Sequence, residues 1–116
     1  MGRLSTHVLD TANGKPAAGI RIDLFRGDAE GGPPVRSVSA DADGRPALPL
    51  LEGAEFRPGS YRLVFHVGAY YRGRGHPDAG RFLEDVPVTF VVDDPSARYH
   101  VPLLVSPWSY TTYRGS

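Results

Sequence analysis

One stretch near the end of the chain reads Tyr99-His100-Val101-Pro102-Leu103-Leu104-Val105. Large apolar residues occupy every second position of it, and successive side chains of a β-strand point to opposite faces. Alternate residues beginning with Tyr99 therefore face the core of the protein. His100, Pro102 and Leu104 point away from that core, so the stretch predicts a strand with one buried and one outward face.

Similar short runs, rich in β-branched and aromatic residues, recur along the chain between glycines and prolines. They predict strands at residues 4–10, 20–26, 35–40, 47–50, 60–67, 86–92, 99–105 and 110–114. About eight short strands with turn signals between them indicate an all-β fold, a two-sheet antiparallel sandwich. Residues 68–82 lack a strand pattern, and we expect one short helix at their start.

The outward face of the predicted sheet carries apolar residues. In the first strand Ser5, His7 and Leu9 share one face, and Leu104 lies on the outward face of its own strand. An outward face with apolar residues usually meets another surface. The pattern predicts a sheet-on-sheet oligomer with His7 and His100 at the contact. The alternative is a monomer with scattered apolar residues on its surface, which are common.

Length and composition restrict the classes of function. A chain of 116 residues suits one domain, spanning residues 1–116. Thirteen Lys and Arg balance thirteen Asp and Glu, so no broad charge favours nucleic acid or an anionic membrane as a partner. No apolar run has the length of a signal peptide or a membrane span. Cysteine is absent, which excludes disulfides and thiolate metal sites, and we expect a cytoplasmic protein.

General motifs for catalysis or metal binding are scarce. The four histidines do not show the local spacing of metal ligands, and a zinc site assembled from distant strands stays the less favoured alternative. The run 41–44 resembles the start of a calcium loop, but Arg45 occupies the next ligand position. We interpret this run as a polar turn before a strand, and we predict no metal site.

Three blocks of sequence resemble one known family. The C-terminal block, residues 99–116, is the longest and most specific of them, and it ends in Tyr113-Arg114-Gly115-Ser116. The opening block is Leu4-Ser5-Thr6-His7-Val8-Leu9-Asp10, and the middle block contains Asp43-Gly44-Arg45. In this order they resemble the signatures of the 5-hydroxyisourate hydrolases, which are transthyretin-like proteins.

The resemblance implies a fold, an assembly and an activity. The family shares the transthyretin-like sandwich and forms a homotetramer with sites at the subunit interfaces. Its members hydrolyse 5-hydroxyisourate, the unstable product of urate oxidation, to 2-oxo-4-hydroxy-4-carboxy-5-ureidoimidazoline. Two departures from the family pattern, at residues 81–86 and at Trp108, affect packing rather than any matched site position.

The resemblance also assigns site residues. The catalytic positions of the family fall on His7, Arg45, His100, Tyr113 and Ser116, and those that bind the substrate fall on His7, Arg45 and Tyr113. A histidine suits the role of general base near neutral pH, and an arginine offers a planar fork of donors to the oxygens of the substrate. No metal or organic cofactor is required by this scheme.

The remaining tail residues receive supporting roles. Tyr113 and Ser116 would add hydrogen bonds or hold the histidines. We expect Arg114 to be structural, pairing with an acidic group or the chain end. Which histidine takes the proton stays open at this point.

Two rival functions belong to other classes. Transthyretin itself uses the same fold to carry a hormone, so a binding protein is the first rival, and a surface adhesion module is the second. A carrier has no need of His7, Arg45, His100 and the Tyr-Arg-Gly-Ser ending together, and the lack of a signal peptide disfavours an adhesion module.

Overall fold

The computed structural model describes residues 2–27 and 31–115. The strands in these residues are β1 (Arg3–Asp10), β2 (Lys15–Pro16), β3 (Arg21–Arg26), β4 (Arg36–Ser39), β5 (Leu51–Glu52), β6 (Gly59–His66), β7 (Asp85–Val92), β8 (Arg98–Val105) and β9 (Tyr110–Thr112). A 3-10 turn at Gly53–Glu55 and one α-helix, α1 (Val67–Gly73), complete the elements. None of the helices in the described ranges has the length and apolar character needed to span a membrane.

The strands form two sheets, which confirms the predicted sandwich. One sheet has the order β2-β1-β8-β9, with β5 also pairing with β1, and the other has the order β4-β3-β6-β7. The pairs are antiparallel except β1 with β8, which run parallel over their whole length. The predicted antiparallel sandwich therefore contains one parallel pair that the sequence did not indicate. The parallel arrangement is available because a long stretch of chain separates the two strands.

The core lies between the sheets and follows the predicted alternation. Leu4, Val8, Leu103 and Val105 are fully buried from one sheet, and β6 contributes a matching apolar row from the other. Ser5, His7 and Leu9 are only partly buried, on the opposite face of β1.

Two predicted strands differ from the structure, and proline explains both. Residues 47–50 form an irregular loop rather than a strand, and the short strand starts at Leu51. Pro46 and Pro49 bracket that loop, and proline has no N–H with which to join a ladder. The last strand ends at Thr112 rather than Arg114. Pro102, which was predicted on the outward face of its strand and is buried, lies on β8 where the next ladder bond would form.

A buried carboxylate ties helix α1 to the end of β1. Asp10 is 1 % exposed and accepts hydrogen bonds from the hydroxyls of Tyr70 and Tyr71, at 2.8 and 2.7 Å. Burial alone would raise the pKa of Asp10, but the hydrogen bonds from Tyr71, Asn13 and Tyr70 outweigh it and hold that pKa below its ordinary value. The end of β1 is therefore a fixed point, and it lies three residues after His7.

Candidate active site

The outward face of β1 and β8 carries the first part of the site. Ser5 lies directly opposite His100 in the parallel ladder, and His7 lies opposite Pro102. His7 and His100 are thus diagonal neighbours on one face of the same sheet. The alternation that buries Leu4 and Val8 is the reason that both rings emerge on this side.

A tight turn at residues 41–45 brings Arg45 to the same face. The Asp41 carboxylate accepts hydrogen bonds from the backbone N–H groups of Asp43 and Arg45, at 2.9 and 3.2 Å. The turn docks on β1 because the N–H of Val8 donates to the carbonyl oxygen of Gly44 at 2.9 Å. The predicted polar turn is confirmed, and it is pinned beside His7.

Only glycine fits at the centre of this turn. Gly44 has a φ of 80°, in the left-handed region, and a Cβ there would lie 2.4 Å from the carbonyl oxygen of Val8. The glycine of the block Asp43-Gly44-Arg45 therefore allows the turn to pack closely against β1.

Two groups of that turn hold the ring of His7. Its Nε2 lies 2.8 Å from the carbonyl oxygen of Asp43, and its Nδ1 lies 3.5 Å from a terminal nitrogen of Arg45. A carbonyl oxygen can only accept, so Nε2 carries a proton and donates it. In the neutral ring Nδ1 is then the acceptor that faces the guanidinium of Arg45.

His100 is held differently. Its Nδ1 lies 2.9 Å from the hydroxyl of Ser5, and its carbonyl oxygen accepts a hydrogen bond from the N–H of Gly115 at 2.7 Å. Burial of the ring, followed by the positive charges of Arg45 and His7, holds the pKa of His100 below the ordinary value of 6.5. The surroundings of the ring therefore favour its neutral form.

A cavity of about 460 Å³ opens in front of these groups. Its walls come from Ser5 and Thr6, from the loop at residues 46–49, from His100 and from three arginines, namely Arg3, Arg45 and Arg98. No acidic side chain is among the described residues that line it. Although the chain has no net charge, this cavity is a local concentration of positive charge, which suits an anionic or carbonyl-rich ligand.

The structure brings together three of the five predicted site residues. Arg45 and His100 line the cavity, and His7 contacts Arg45 without lining the cavity itself. Tyr113 is 58 % exposed and does not line this cavity in the single chain. Ser116 lies outside the described residues.

Arg114 has partners other than the predicted acidic group. Its guanidinium lies 4.0 Å from the ring centroid of Tyr99, and it donates to the carbonyl oxygen of Arg98 at 3.3 Å. The prediction of a structural role agrees with these contacts, but the described contacts are to an aromatic ring and a carbonyl group.

Sequence reasoning missed Ser5, Arg3 and Arg98 as site residues. Strand alternation contained the signal, because Ser5 and Arg3 share the face of His7, and Arg98 shares the face of His100. The role of the Asp43 carbonyl had no signal in the sequence, since a backbone acceptor depends on where its turn docks. Within the described residues, no three His, Asp or Glu side chains form a group that could hold a metal ion.

Known proteins resemble this chain over nearly its whole length. A 5-hydroxyisourate hydrolase of Rhizobium meliloti is 53% identical, over 99% of this chain and 97% of that protein. The solved structure of an (S)-allantoin synthase is 45% identical with a TM-score of 0.91, and this chain spans 99% of its own length but 44% of that protein's.

A third relative was solved with a ligand bound. Sea bream transthyretin, solved in complex with thyroxine, is 30% identical with a TM-score of 0.83, over 97% of this chain and 94% of that chain. The family model described as HIUase/Transthyretin matches residues 4–115. With the sandwich, the three sequence blocks and these matches all in agreement, the chain belongs to the HIUase/Transthyretin family.

Proposed function

We propose that this protein is a hydrolase that converts 5-hydroxyisourate to 2-oxo-4-hydroxy-4-carboxy-5-ureidoimidazoline, a step in urate breakdown. The observation that carries the proposal is the position of His100 in a cavity lined by three arginines, with no acidic side chain among the described residues of its wall. The lowered pKa of His100 supports the same reading. The name of the Rhizobium meliloti relative supports the choice of substrate.

His100 is the proposed general base. Addition of water to a ring carbonyl requires a group that takes a proton from that water. A histidine that is already protonated, because the pH lies below its pKa, cannot do so. The lowered pKa keeps the His100 ring neutral, and its Nε2 has no hydrogen-bond partner among the described residues. A water in the cavity therefore finds a free basic nitrogen.

His7 has a different proposed role, as the support of Arg45. Nε2 of His7 donates its proton to the Asp43 carbonyl oxygen. Nδ1 of His7 faces the guanidinium of Arg45 rather than a water. This contact turns the fork of Arg45 toward the oxygens of the substrate, where negative charge develops as water adds. The assignment separates the two histidines into a base and a support for the substrate-binding arginine.

The arginines at the cavity also suit the product. Hydrolysis of the cyclic amide breaks a C–N bond, and the carbonyl carbon becomes a carboxylate while the nitrogen takes the proton. Arg3 and Arg98 lie directly opposite each other in the ladder, and both line the cavity. They favour the carboxylate electrostatically as it forms. This scheme uses no metal or organic cofactor.

The complete site is proposed to lie between subunits of a homotetramer. Leu9 and Leu104 lie opposite each other on the face that carries the site, and both are only partly buried in the single chain. A neighbouring subunit would cover them and bring Tyr113 and Ser116 of the tails near the cavities. Light scattering should give the mass of a tetramer, and a stable monomer at micromolar concentration would contradict this arrangement.

We place the enzyme in the cytoplasm, with neither nucleic acid nor a membrane as a partner. The absence of cysteine from the chain and the balance of its charges support this placement. Fractionation of the source cells should recover the protein with cytoplasmic markers, and recovery with the membrane fraction would contradict it.

The decisive experiment generates 5-hydroxyisourate from urate in place and follows its ultraviolet absorbance. Protein should accelerate the decay well beyond the spontaneous rate, in proportion to its concentration. A decay equal to the blank would overturn the proposed function. Transthyretin with thyroxine makes a hormone carrier the rival, so the same preparation should be titrated with thyroxine. Tight thyroxine binding without hydrolysis would favour that rival.

A further inference from the structure

The hydroxyl of Ser5 is the hydrogen-bond partner of the His100 ring. Ser5 and His100 are directly opposite in the parallel pair of β1 and β8, and the Oγ of Ser5 lies 2.9 Å from Nδ1. Both residues are partly buried and both line the cavity. The rigid backbone of two central strands therefore sets the distance between hydroxyl and ring.

The second nitrogen of His100 is not fully buried. Nε2 has no hydrogen-bond partner among the described residues. Within that part of the chain, Arg62 Nε is the one buried side-chain nitrogen or oxygen without a partner. His100 Nε2 also lacks a partner there, but it does not belong to this buried set. The nitrogen therefore keeps some exposure, and water in the cavity reaches it.

The tail limits the movement of the ring from another side. The backbone of Gly115 lies so close to His100 that a Cβ there would be 2.7 Å from Cδ2. With Ser5 at Nδ1 and the tail at the Cδ2 edge, the ring has little freedom to rotate.

We propose that Ser5 is a positioning residue that holds the His100 ring with Nε2 toward the cavity and keeps the Nδ1–H tautomer. The inference rests on the proposed function, since it concerns the base of that reaction. In this arrangement Nδ1 donates its proton to Oγ and leaves the lone pair of Nε2 for a water. A hydroxyl can accept as well as donate, so Oγ can serve as the acceptor of the Nδ1 proton.

A hydroxyl differs from a carboxylate in this position. A carboxylate beside Nδ1 stabilises the imidazolium form and raises the pKa of a histidine, whereas a hydroxyl carries no charge. The charged groups that line the cavity beside His100 are all arginines, namely Arg45 from the turn, Arg3 from β1 and Arg98 from β8, and His7 faces the ring from β1. An acidic residue, Glu52 on β5, pairs with Arg3 in the antiparallel ladder of β1 and β5. Glu52 does not line the cavity. Ser5 thus orients the base without charging it.

The first test reads the tautomer of His100 in the parent protein. Nitrogen-15 NMR of the imidazole groups should show His100 of the intact protein as the Nδ1–H tautomer at pH 8. The chain has four histidines, so loss of one set of signals in His100→Gln assigns the ring. A dominant Nε2–H tautomer would overturn the proposal, and this readout is independent of any activity.

Variants test the same point by kinetics. Ser5→Ala should lower kcat about tenfold or more, since misplaced catalytic groups cost rates of that order, and should shift His100 toward the Nε2–H tautomer. Ser5→Thr keeps the hydroxyl and should restore both. Ser5→Asp should move the acidic limb of the kcat/KM profile to higher pH. Ser60→Ala, a partly buried serine of β6, is the matched control and should behave as the parent protein.

The outcomes separate this proposal from the proposed function. A parent protein without hydrolase activity refutes the function, while the tautomer still reports on Ser5. An active parent whose Ser5→Ala variant keeps the same kcat, pH profile and tautomer refutes the role of Ser5. Circular dichroism and size of each variant establish that the comparison is made between folded proteins.

Discussion

Gly115 pairs with His100 in the register that β9 establishes with β8. Thr112 lies opposite Leu103, and Gly115 lies opposite His100 three residues further along each segment, where its N–H donates to the His100 carbonyl oxygen at 2.7 Å. The regular ladder is interrupted between these pairs because Pro102 has no N–H to donate. The tail thus returns to β8 at the residue proposed as the base.

Gly115→Ala should therefore impair the site while the fold survives. Its Cβ would lie 2.7 Å from His100 Cδ2, so either the tail or the ring must shift. We expect kcat/KM to fall about tenfold or more, with a change in the free energy of unfolding below about 1 kcal/mol. Gly73→Ala is the control, because a Cβ there meets nothing within 4 Å. Equal activity of the two variants would show that the tail contact is irrelevant to catalysis.

Deletion of residues 114–116 tests the whole tail. Chain ends usually tolerate change, so a tail that only closed the sandwich could be removed without effect. We expect a folded tetramer with almost no hydrolysis, measured by activity, circular dichroism and light scattering. Arg114→Gln keeps the chain length and loses the stacking on Tyr99, so it separates the arginine from the backbone. Full activity after deletion would refute a role of the tail in catalysis.

Alanine at His7, Arg45 or His100 should lower turnover strongly. Loss of a general base typically costs about 100- to 10,000-fold, and we expect His100→Ala to lie in that range. Arg45→Lys should recover little, because an ammonium group lacks the planar fork. Arg57→Gln, which changes an exposed arginine outside the cavity, is the control. Near-normal turnover of His100→Ala would remove it as the base.

The pH dependence follows from the lowered pKa of His100. The base works only when neutral, so kcat/KM should be level above neutrality and fall as pH drops through a pKa below 6.5. In the folded chain this ring binds fewer protons than in the unfolded chain, so its contribution to stability also decreases as pH falls through the same window. Arg45→Gln removes one of the charges responsible and should raise the His100 pKa in an NMR titration. An unchanged titration would contradict the electrostatic coupling.

Activity should survive prolonged treatment with a chelator. The proposed chemistry needs only side chains, and the described residues hold no group of three metal-ligating acidic or imidazole side chains. Assays before and after dialysis against EDTA should agree. Loss of activity that zinc restores would assign the histidines to a metal instead of to proton transfer.

The sequence alone determined which face of β1 and which face of β8 pack against the core. In β1, alternation placed Ser5 and His7 on the face that points away from the buried Leu4 and Val8. In β8, it placed His100 on the face that points away from the buried residues. This succeeds because the period of a strand is local, so an apolar row defines its face without knowledge of the partner. The helix at residue 67 was also predicted closely, since the segment after β6 lacks a strand pattern.

Only the tertiary structure decided which of these outward residues meet. The parallel register of β1 on β8 sets Ser5 against His100, and the docking of Gly44 on Val8 sets Arg45 against His7. Neither contact has a local signature, because the direction and register of two strands distant in sequence depend on how both sheets close over one core. The chemistry of the site therefore depends on pairings that no single segment of the chain encodes.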